Sequence, residues 1–337
     1  MAKKMKTAQA RYFYEMTISS SPHVHSKLTT RTIMMYVLIA LLPALIGSVY
    51  FFGYRALTVT VVSAAACVFF EWAWCKMTKV KSKVYDLSAV VTGVLLAFVC
   101  PVTIPYWTII LGDLFAIVLV KMLFGGLGRN IVNPALAGRA FMFSWPVLMS
   151  TWVKVGQENA APVIGGADVI TAATPMGALH AGVLPETSIM ASFWGNVGGC
   201  IGETSAALLI VGFIYLLLRK VITARIPVAF IGTVAVLTFL FPMGNARIDW
   251  MLYHLFSGGL MLGAIFMATD YVTSPLTHLG QIVYGIGCGA LTVLIRYFGG
   301  YPEGVSYAIL CMNCCVVLLD RIGRPVKFGA PRKEAAK

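Results

Sequence analysis

The chain has 337 residues, 59% of them hydrophobic and only 12% charged, with a formal net charge of +13. Soluble domains run about 45–50% apolar and about 25% charged, so a single water-soluble core is excluded and a polytopic membrane protein, with lipid around its outer faces, is the natural reading. The basic residues lie in short runs between apolar stretches, with no aromatic interleaving, which argues for topology signals and against nucleic-acid binding.

A membrane-crossing helix needs about 20 predominantly apolar residues. In chain order the candidates are Thr32–Phe52, Ala56–Cys75, Leu87–Cys100, Trp107–Phe124 and Pro134–Thr151, then Cys200–Leu218, Pro227–Phe241, Met251–Ala268, Leu279–Phe298 and Val305–Leu319. An all-α protein of about ten spans in two sets of five is expected. No cleavable signal peptide is expected, because the first apolar stretch is about 20 residues long and follows a polar, basic tail. Leu87–Cys100 is short and stops at Pro101 and Pro105, and Met251–Ala268 runs into Thr269-Asp270-Tyr271-Val272-Thr273-Ser274-Pro275. Interrupted spans at matching places in two halves are the mark of broken helices around a central site.

Charge then sets orientation. Lys3, Lys4, Lys6, Arg11, Lys27 and Arg31 precede the first span; Lys76, Lys79, Lys81 and Lys83 follow the second. Lys121 and Arg129 mark the fourth connection, Arg219, Lys220 and Arg225 the sixth, and Arg321, Arg324, Lys327, Arg332 and Lys333 the C-terminal tail. With ten spans all of these share one side, which the positive-inside rule makes cytoplasmic. The layout is a cytoplasmic tail (1–31), a first five-helix repeat (32–151), an extracytoplasmic loop (152–199), a second repeat (200–319) and a cytoplasmic tail (320–337). Phe124-Gly125-Gly126 with Val132-Asn133-Pro134-Ala135-Leu136 aligns without a gap on Phe298-Gly299-Gly300 with Ser306-Tyr307-Ala308-Ile309-Leu310. Phe98 through Pro105 resembles Phe266 through Pro275. Five is odd, so the second copy must run inverted in the membrane.

Ionisable groups in hydrocarbon are costly and therefore candidates for function. Glu71, Asp113, Lys121, Glu203, Asp270 and Arg296 stand out. Glu71 and Lys121 lie near cytoplasmic ends and are expected to snorkel to water. Asp113 is deeper; it is either an interhelical hydrogen-bond partner or a step for a coupling ion. Asp270 follows a helix end and can cap a broken helix or accept hydrogen bonds from a bound heterocycle. Glu303 is expected to cap the last span. Cys311, Cys314 and Cys315 are read as packing residues rather than metal or cluster ligands, since a full four-thiolate set is missing, and the five histidines show no metal-ligand spacing.

The loop carries Asp168-Val169-Ile170-Thr171-Ala172-Ala173-Thr174. A phosphoester needs a hydroxyl on an exposed segment that a modifying enzyme can enter. Ala172 and Ala173 leave room for approach, and Asp168 can place a divalent cation or activate the hydroxyl. The plainer reading of Thr174-Pro175 is a helix cap followed by proline at the first helical position.

Ser21-Pro22-His23, Gly128-Arg129-Asn130-Ile131-Val132-Asn133-Pro134-Ala135, Asp168 through Thr174, Met267-Ala268-Thr269-Asp270 with Thr273-Ser274-Pro275, and Tyr301-Pro302-Glu303-Gly304-Val305 occur in this order. Over nearly its whole length the chain resembles the D subunits of Rnf complexes, the ion-translocating ferredoxin:NAD oxidoreductases. It is also similar to the related B subunits of sodium-pumping NADH:quinone reductases. The resemblance implies two inverted five-helix repeats like those of urea and ammonium transporters, and FMN esterified to Thr174. It implies a second, non-covalent flavin, riboflavin, for which residues near Asn133 and Asp270 are the candidates. Around Thr174, the resemblance puts Asp168, Thr171, Ala172 and Ala173 in the attachment motif, with Ala172 where the family usually has glycine. It implies electron passage between flavins and iron–sulfur subunits, coupled to sodium or proton movement in a bacterial or archaeal cytoplasmic membrane. A flavin transferase would be needed for maturation. The subunit would belong to an oxidoreductase without being catalytic alone. The competing expectations are a solute channel or transporter of the same fold without redox activity, and an inert assembly subunit.

Overall fold

Thr29 starts the first helix: its side-chain oxygen accepts the backbone N–H of Thr32 at 3.3 Å, an N-cap that satisfies one otherwise orphaned donor. The computed structural model describes residues 28–80, 84–152, 174–203, 205–244, 246–300 and 303–322, and among these all regular structure is helical. Helix α1 (Thr30–Phe52) reverses at Gly53 into α2 (Tyr54–Met77). Gly53 has φ +76°, a left-handed conformation that glycine adopts without the Cβ clash other residues meet.

The first half continues with α3 (Ser88–Phe98), then α4 (Tyr106–Leu114), which passes directly into a π-helical segment, Phe115–Met122. Next come α5 (Pro134–Met142) and the short α6 (Pro146–Met149). Two short helices, α7 (Pro175–His180) and α8 (Ile189–Trp194), precede the second half. That half comprises α9 (Ala206–Leu218), α10 (Arg225–Leu240), α11 (Arg247–Phe256), α12 (Leu260–Met267), α13 (His278–Phe298) and α14 (Val305–Leu319).

Each apolar stretch expected from sequence is helical over most of its length, with three differences. Pro134–Thr151 is two pieces, because Pro146 can begin a helix but cannot continue one. Cys200–Leu218 becomes helical only at Ala206, where Ser205 caps. Met251–Ala268 lies in α11 and α12, which meet at a 60° bend across Ser257-Gly258-Gly259. Gly258 and Gly259 have φ +71° and +68°, which opens the bend.

Helices α1, α2 and α13 are individually long and apolar enough to cross a membrane, and α11 with α12 makes a fourth such unit. Their most apolar windows are only 28–39% buried for the three single helices, so most of each surface, including Leu42, Ile46, Val61, Phe69 and Leu294, faces outward. That is the pattern of helices solvated by lipid.

Both chain breaks expose carbonyls that hydrocarbon cannot satisfy, and in each an arginine from another helix supplies donors. Arg55 of α2 donates to the carbonyls of Val102 (2.7 Å) and Ile104 (3.2 Å), between α3 and α4. Arg296 of α13 donates to those of His254 (2.6 Å), Ser257 (3.1 Å) and Gly258 (3.2 Å), at the α11–α12 bend. The halves meet where α1 packs on α9 and α5 on α14. The Ile201 and Gly202 amides donate to the carbonyls of Cys100 (3.0 Å) and Phe98 (2.9 Å). A Cβ on Gly202 would lie 2.3 Å from the Phe98 ring, so only glycine permits this approach. The glycine pairs aligned in sequence do not share a backbone: Gly125 and Gly126 have φ +107° and +88°, whereas Gly299 is extended at φ −81°.

Candidate functional site: two crevices and a buried ionic cluster

Asn133 and Asp270, 137 positions apart in sequence, line the same crevice, whose empty space out to its open mouth is about 780 Å³. The walls are mainly apolar, with Ile33, Val37, Leu95 and Phe266, and the polar groups are few. Asn133 caps α5: its Oδ1 accepts the Ala135 amide at 3.0 Å, while Nδ2 donates to the Met267 carbonyl at 3.3 Å. Its side chain therefore ties the start of α5 to the end of α12, and both of its polar atoms are engaged. Asp270 follows α12, and its Oδ2 accepts from Thr273 Oγ1 at 3.1 Å.

Lys121 also lines this crevice. It does not snorkel to water, as its position near a span end suggested. It is 2% exposed and donates to Glu71 Oε2 at 2.7 Å and Ser88 Oγ at 2.8 Å. Glu71 is similarly buried, so each residue offsets part of the cost of burying the other.

Thr174 lines a second crevice of about 340 Å³, together with Cys200, Glu203, Ser257, Gly258 and Glu303. It is half-buried at the N-cap of α7, where its Oγ1 accepts the Gly177 amide at 3.2 Å and Pro175 takes the first helical position. The plain capping reading thus holds, and the hydroxyl stands at a cavity wall as well. Asp168, Thr171, Ala172 and Ala173 lie outside the described residues. Ser257 lines this crevice, and its hydroxyl is buried without a hydrogen-bond partner among the described residues.

Beside Thr174's crevice lies a group that sequence reading missed. Arg139 of α5 is 3% exposed and forms ion pairs with Glu203, at 3.2 Å, and with Glu303. It also donates to Ser306 Oγ at 2.9 Å. Glu303 therefore does not cap the last span. Its carboxylate turns to Arg139 because a charged guanidinium outweighs a neutral backbone amide as a partner, and Gly304 stands at the cap position without a side-chain bond. Oxygen and sulfur atoms of Cys200, Glu203 and Glu303 approach one another within 4.8 Å, a spacing that would suit a metal. The guanidinium of Arg139 already supplies positive charge there. The signal that could have found it is an arginine inside Leu136-Ala137-Gly138-Arg139-Ala140-Phe141-Met142.

Cys311, Cys314 and Cys315 are exposed on α14. The packing reading made for them is overturned, since they face away from the helices around them.

Crossing-length helices, a sharply bent pair and outward-facing apolar surfaces define a multi-pass membrane protein, with two crevices between its halves. The chain belongs to the NQR2, RnfD, RnfE family, which it matches over residues 17–329. It is 44% identical over 327 residues to the D subunit of the Na(+)-translocating ferredoxin:NAD(+) oxidoreductase complex of Acetobacterium woodii, covering 96% of this chain and 98% of that one. It is 44% identical over 328 residues to the D subunit of the proton-translocating ferredoxin:NAD(+) oxidoreductase complex of Clostridium ljungdahlii, covering 94% and 97%. Identity to the D subunit of the ion-translocating oxidoreductase complex of Stutzerimonas stutzeri is 36% over 323 residues, covering 88% and 91%. A relative named for sodium and one named for protons are thus equally similar, so overall similarity does not choose the ion.

Proposed function

We propose that the chain is the D-type membrane subunit of an ion-translocating ferredoxin:NAD oxidoreductase complex, with FMN esterified to Thr174 and riboflavin held non-covalently between Asn133 and Asp270. The observation that carries the assignment is 44% identity along nearly the full length to two such subunits. A flavin supplies one- and two-electron transfer when bound. The chain's part is to hold, orient and insulate it.

The residues fit that task. Thr174 lines a crevice at the start of a short helix, with Glu203, Ser257 and Glu303 as polar neighbours. At Asp270 a carboxyl at the edge of an apolar crevice can accept from a ring N–H or a ribityl hydroxyl, while Phe266 and Tyr271 offer aromatic surface. Asn133 contributes by fixing the crevice's two sides together rather than by binding.

The same reading has ten spans in two inverted repeats of urea- and ammonium-transporter type, both termini cytoplasmic, and the 152–199 loop outside. The contacts of α1 with α9 and of α5 with α14, which belong to the first and last spans of the two halves, support it. Partner subunits with iron–sulfur centres would exchange electrons with this one, a flavin transferase would attach FMN, and sodium or protons would be moved.

The test is in-gel fluorescence of the denatured subunit from a host with an active flavin transferase. A fluorescent band that vanishes in Thr174→Ala and persists in Thr174→Ser is expected. A colourless wild-type band would reject the attachment and favour a plain channel of this fold. Unchanged reductase activity in a Thr174→Ala complex would make the subunit an inert assembly factor.

A further inference from the structure

Asp113 sits in α4, 0% exposed, away from both crevices. Ser63 Oγ of α2 lies 2.7 Å from Asp113 Oδ1 and 2.8 Å from the carbonyl oxygen of Gly93 on α3. A serine hydroxyl has one proton, and a carbonyl and an ionised carboxylate are both acceptors only. Ser63 cannot serve both. The conflict disappears if Asp113 carries a proton on Oδ1: that O–H donates to Ser63 Oγ, and Ser63 donates to Gly93. Cys67 Sγ, 3.2 Å from the same Oδ1, can donate to it as well. Asp113 Oδ2 is buried with no hydrogen-bond partner among the described residues.

Charge bookkeeping points the same way. The titratable groups around Asp113 are Cys67 and Glu71 from α2, Lys121 from its own span, and Cys100 from the break after α3. Lys121 is taken up by Glu71 and Ser88. Beyond Cys100, Arg139 is taken up by Glu203 and Glu303. An ionised Asp113 would be a buried charge without a counter-ion, which costs far more than the neutral acid.

The group is nevertheless connected. Ser63, Cys67 and Glu71 recur every four residues, so they form one polar stripe along α2. The stripe ends at the Glu71–Lys121 pair, and Lys121 and Ser88 line the larger crevice. The π-helical segment Phe115–Met122 starts two residues after Asp113 and contains Lys121; such segments are frequent at functional sites.

We propose that Asp113 is a proton-binding site, loaded from the larger crevice by way of the Glu71–Lys121 pair and the α2 stripe. Its carboxylate takes up one proton to become the acid and releases it again during redox turnover. No other bond forms or breaks. The turnover part rests on the redox assignment above; the protonated resting state rests on geometry alone.

The experiment is reduced-minus-oxidised infrared difference spectroscopy on the whole purified complex, with reductase activity of the same preparation reporting separately on the redox assignment. A protonated-carboxyl C=O band is expected that shifts in deuterium oxide, is absent in Asp113→Asn and moves in frequency in Ser63→Ala. Should Asp113→Asn fail to assemble, the Ser63→Ala shift decides. A band untouched by either variant, or no carboxyl band in an active complex, overturns the proposal. A signal that follows sodium concentration and not pH also overturns it, in favour of a bound cation.

Discussion

The two crevices differ in kind. That of Asn133 and Asp270 is the roomier and has mainly apolar walls, and most of its polar atoms are already bonded within the protein. That of Thr174 encloses about 340 Å³ and adjoins Arg139, Glu203 and Glu303. The first offers apolar surface with Asp270 at its edge. The second is dominated by an ionic cluster that joins the halves. Under the proposed function, burial with one polar anchor retains the ligand in the first, and a covalent tether retains it at the second.

Breaking the ionic cluster should have the largest effect. Arg139→Ala leaves two carboxylates without their buried partner, a change that costs about 3–5 kcal/mol in comparable pairs. Loss of the protein from membranes, or a markedly lower unfolding temperature of the solubilised complex, is the expected outcome. Simultaneous Glu203→Gln and Glu303→Gln should recover part of that loss.

Sharpening the contrast requires a change confined to the larger crevice. Asp270→Asn removes a charged acceptor, worth about 1.5–3 kcal/mol. Non-covalent flavin extracted per complex should fall, with an affinity weaker by on the order of tenfold or more. Covalent fluorescence at Thr174 should not change. Equal loss at both sites would show that the crevices are not independent.

Next comes the seam between the halves. Gly202→Ala would drive a Cβ to 2.3 Å from the Phe98 ring, an overpacking of about 1–3 kcal/mol, to be read as a lower thermal midpoint. The smallest effect belongs to Asn133→Ala, which removes an N-cap worth about 1 kcal/mol. It should loosen the larger crevice, raising the off-rate of the non-covalent flavin while leaving Thr174 modified.

The helices were legible because hydrophobic runs in this chain are long and bounded by charge. Pro101 and Pro105 marked the break in the first half, whereas the bend in the second lies at Ser257-Gly258-Gly259, ahead of the Thr269–Pro275 stretch that the sequence singled out. Asn133 and Asp270 were legible as motif residues, and they share one crevice. What each polar atom does was not, because Asn133 binds the Met267 carbonyl 134 positions away. The ionic cluster was hidden for the same reason: Arg139 meets carboxylates 64 and 164 positions distant. A local reading sees only a basic residue in an apolar run. Glu71 and Lys121 were misread as snorkelling because each was judged alone, while as a pair they can be buried. The roles of Arg55 and Arg296 follow from carbonyls freed at chain breaks, whose positions sequence locates only to within a few residues.

The most direct test of the central claim is peptide mass spectrometry of this protein isolated under denaturing conditions from an active complex. The peptide containing Thr174 should carry the added mass of one FMN less one water, with fragment ions assigning it to the Thr174 side chain. An unmodified Thr174 peptide from an active complex would contradict it.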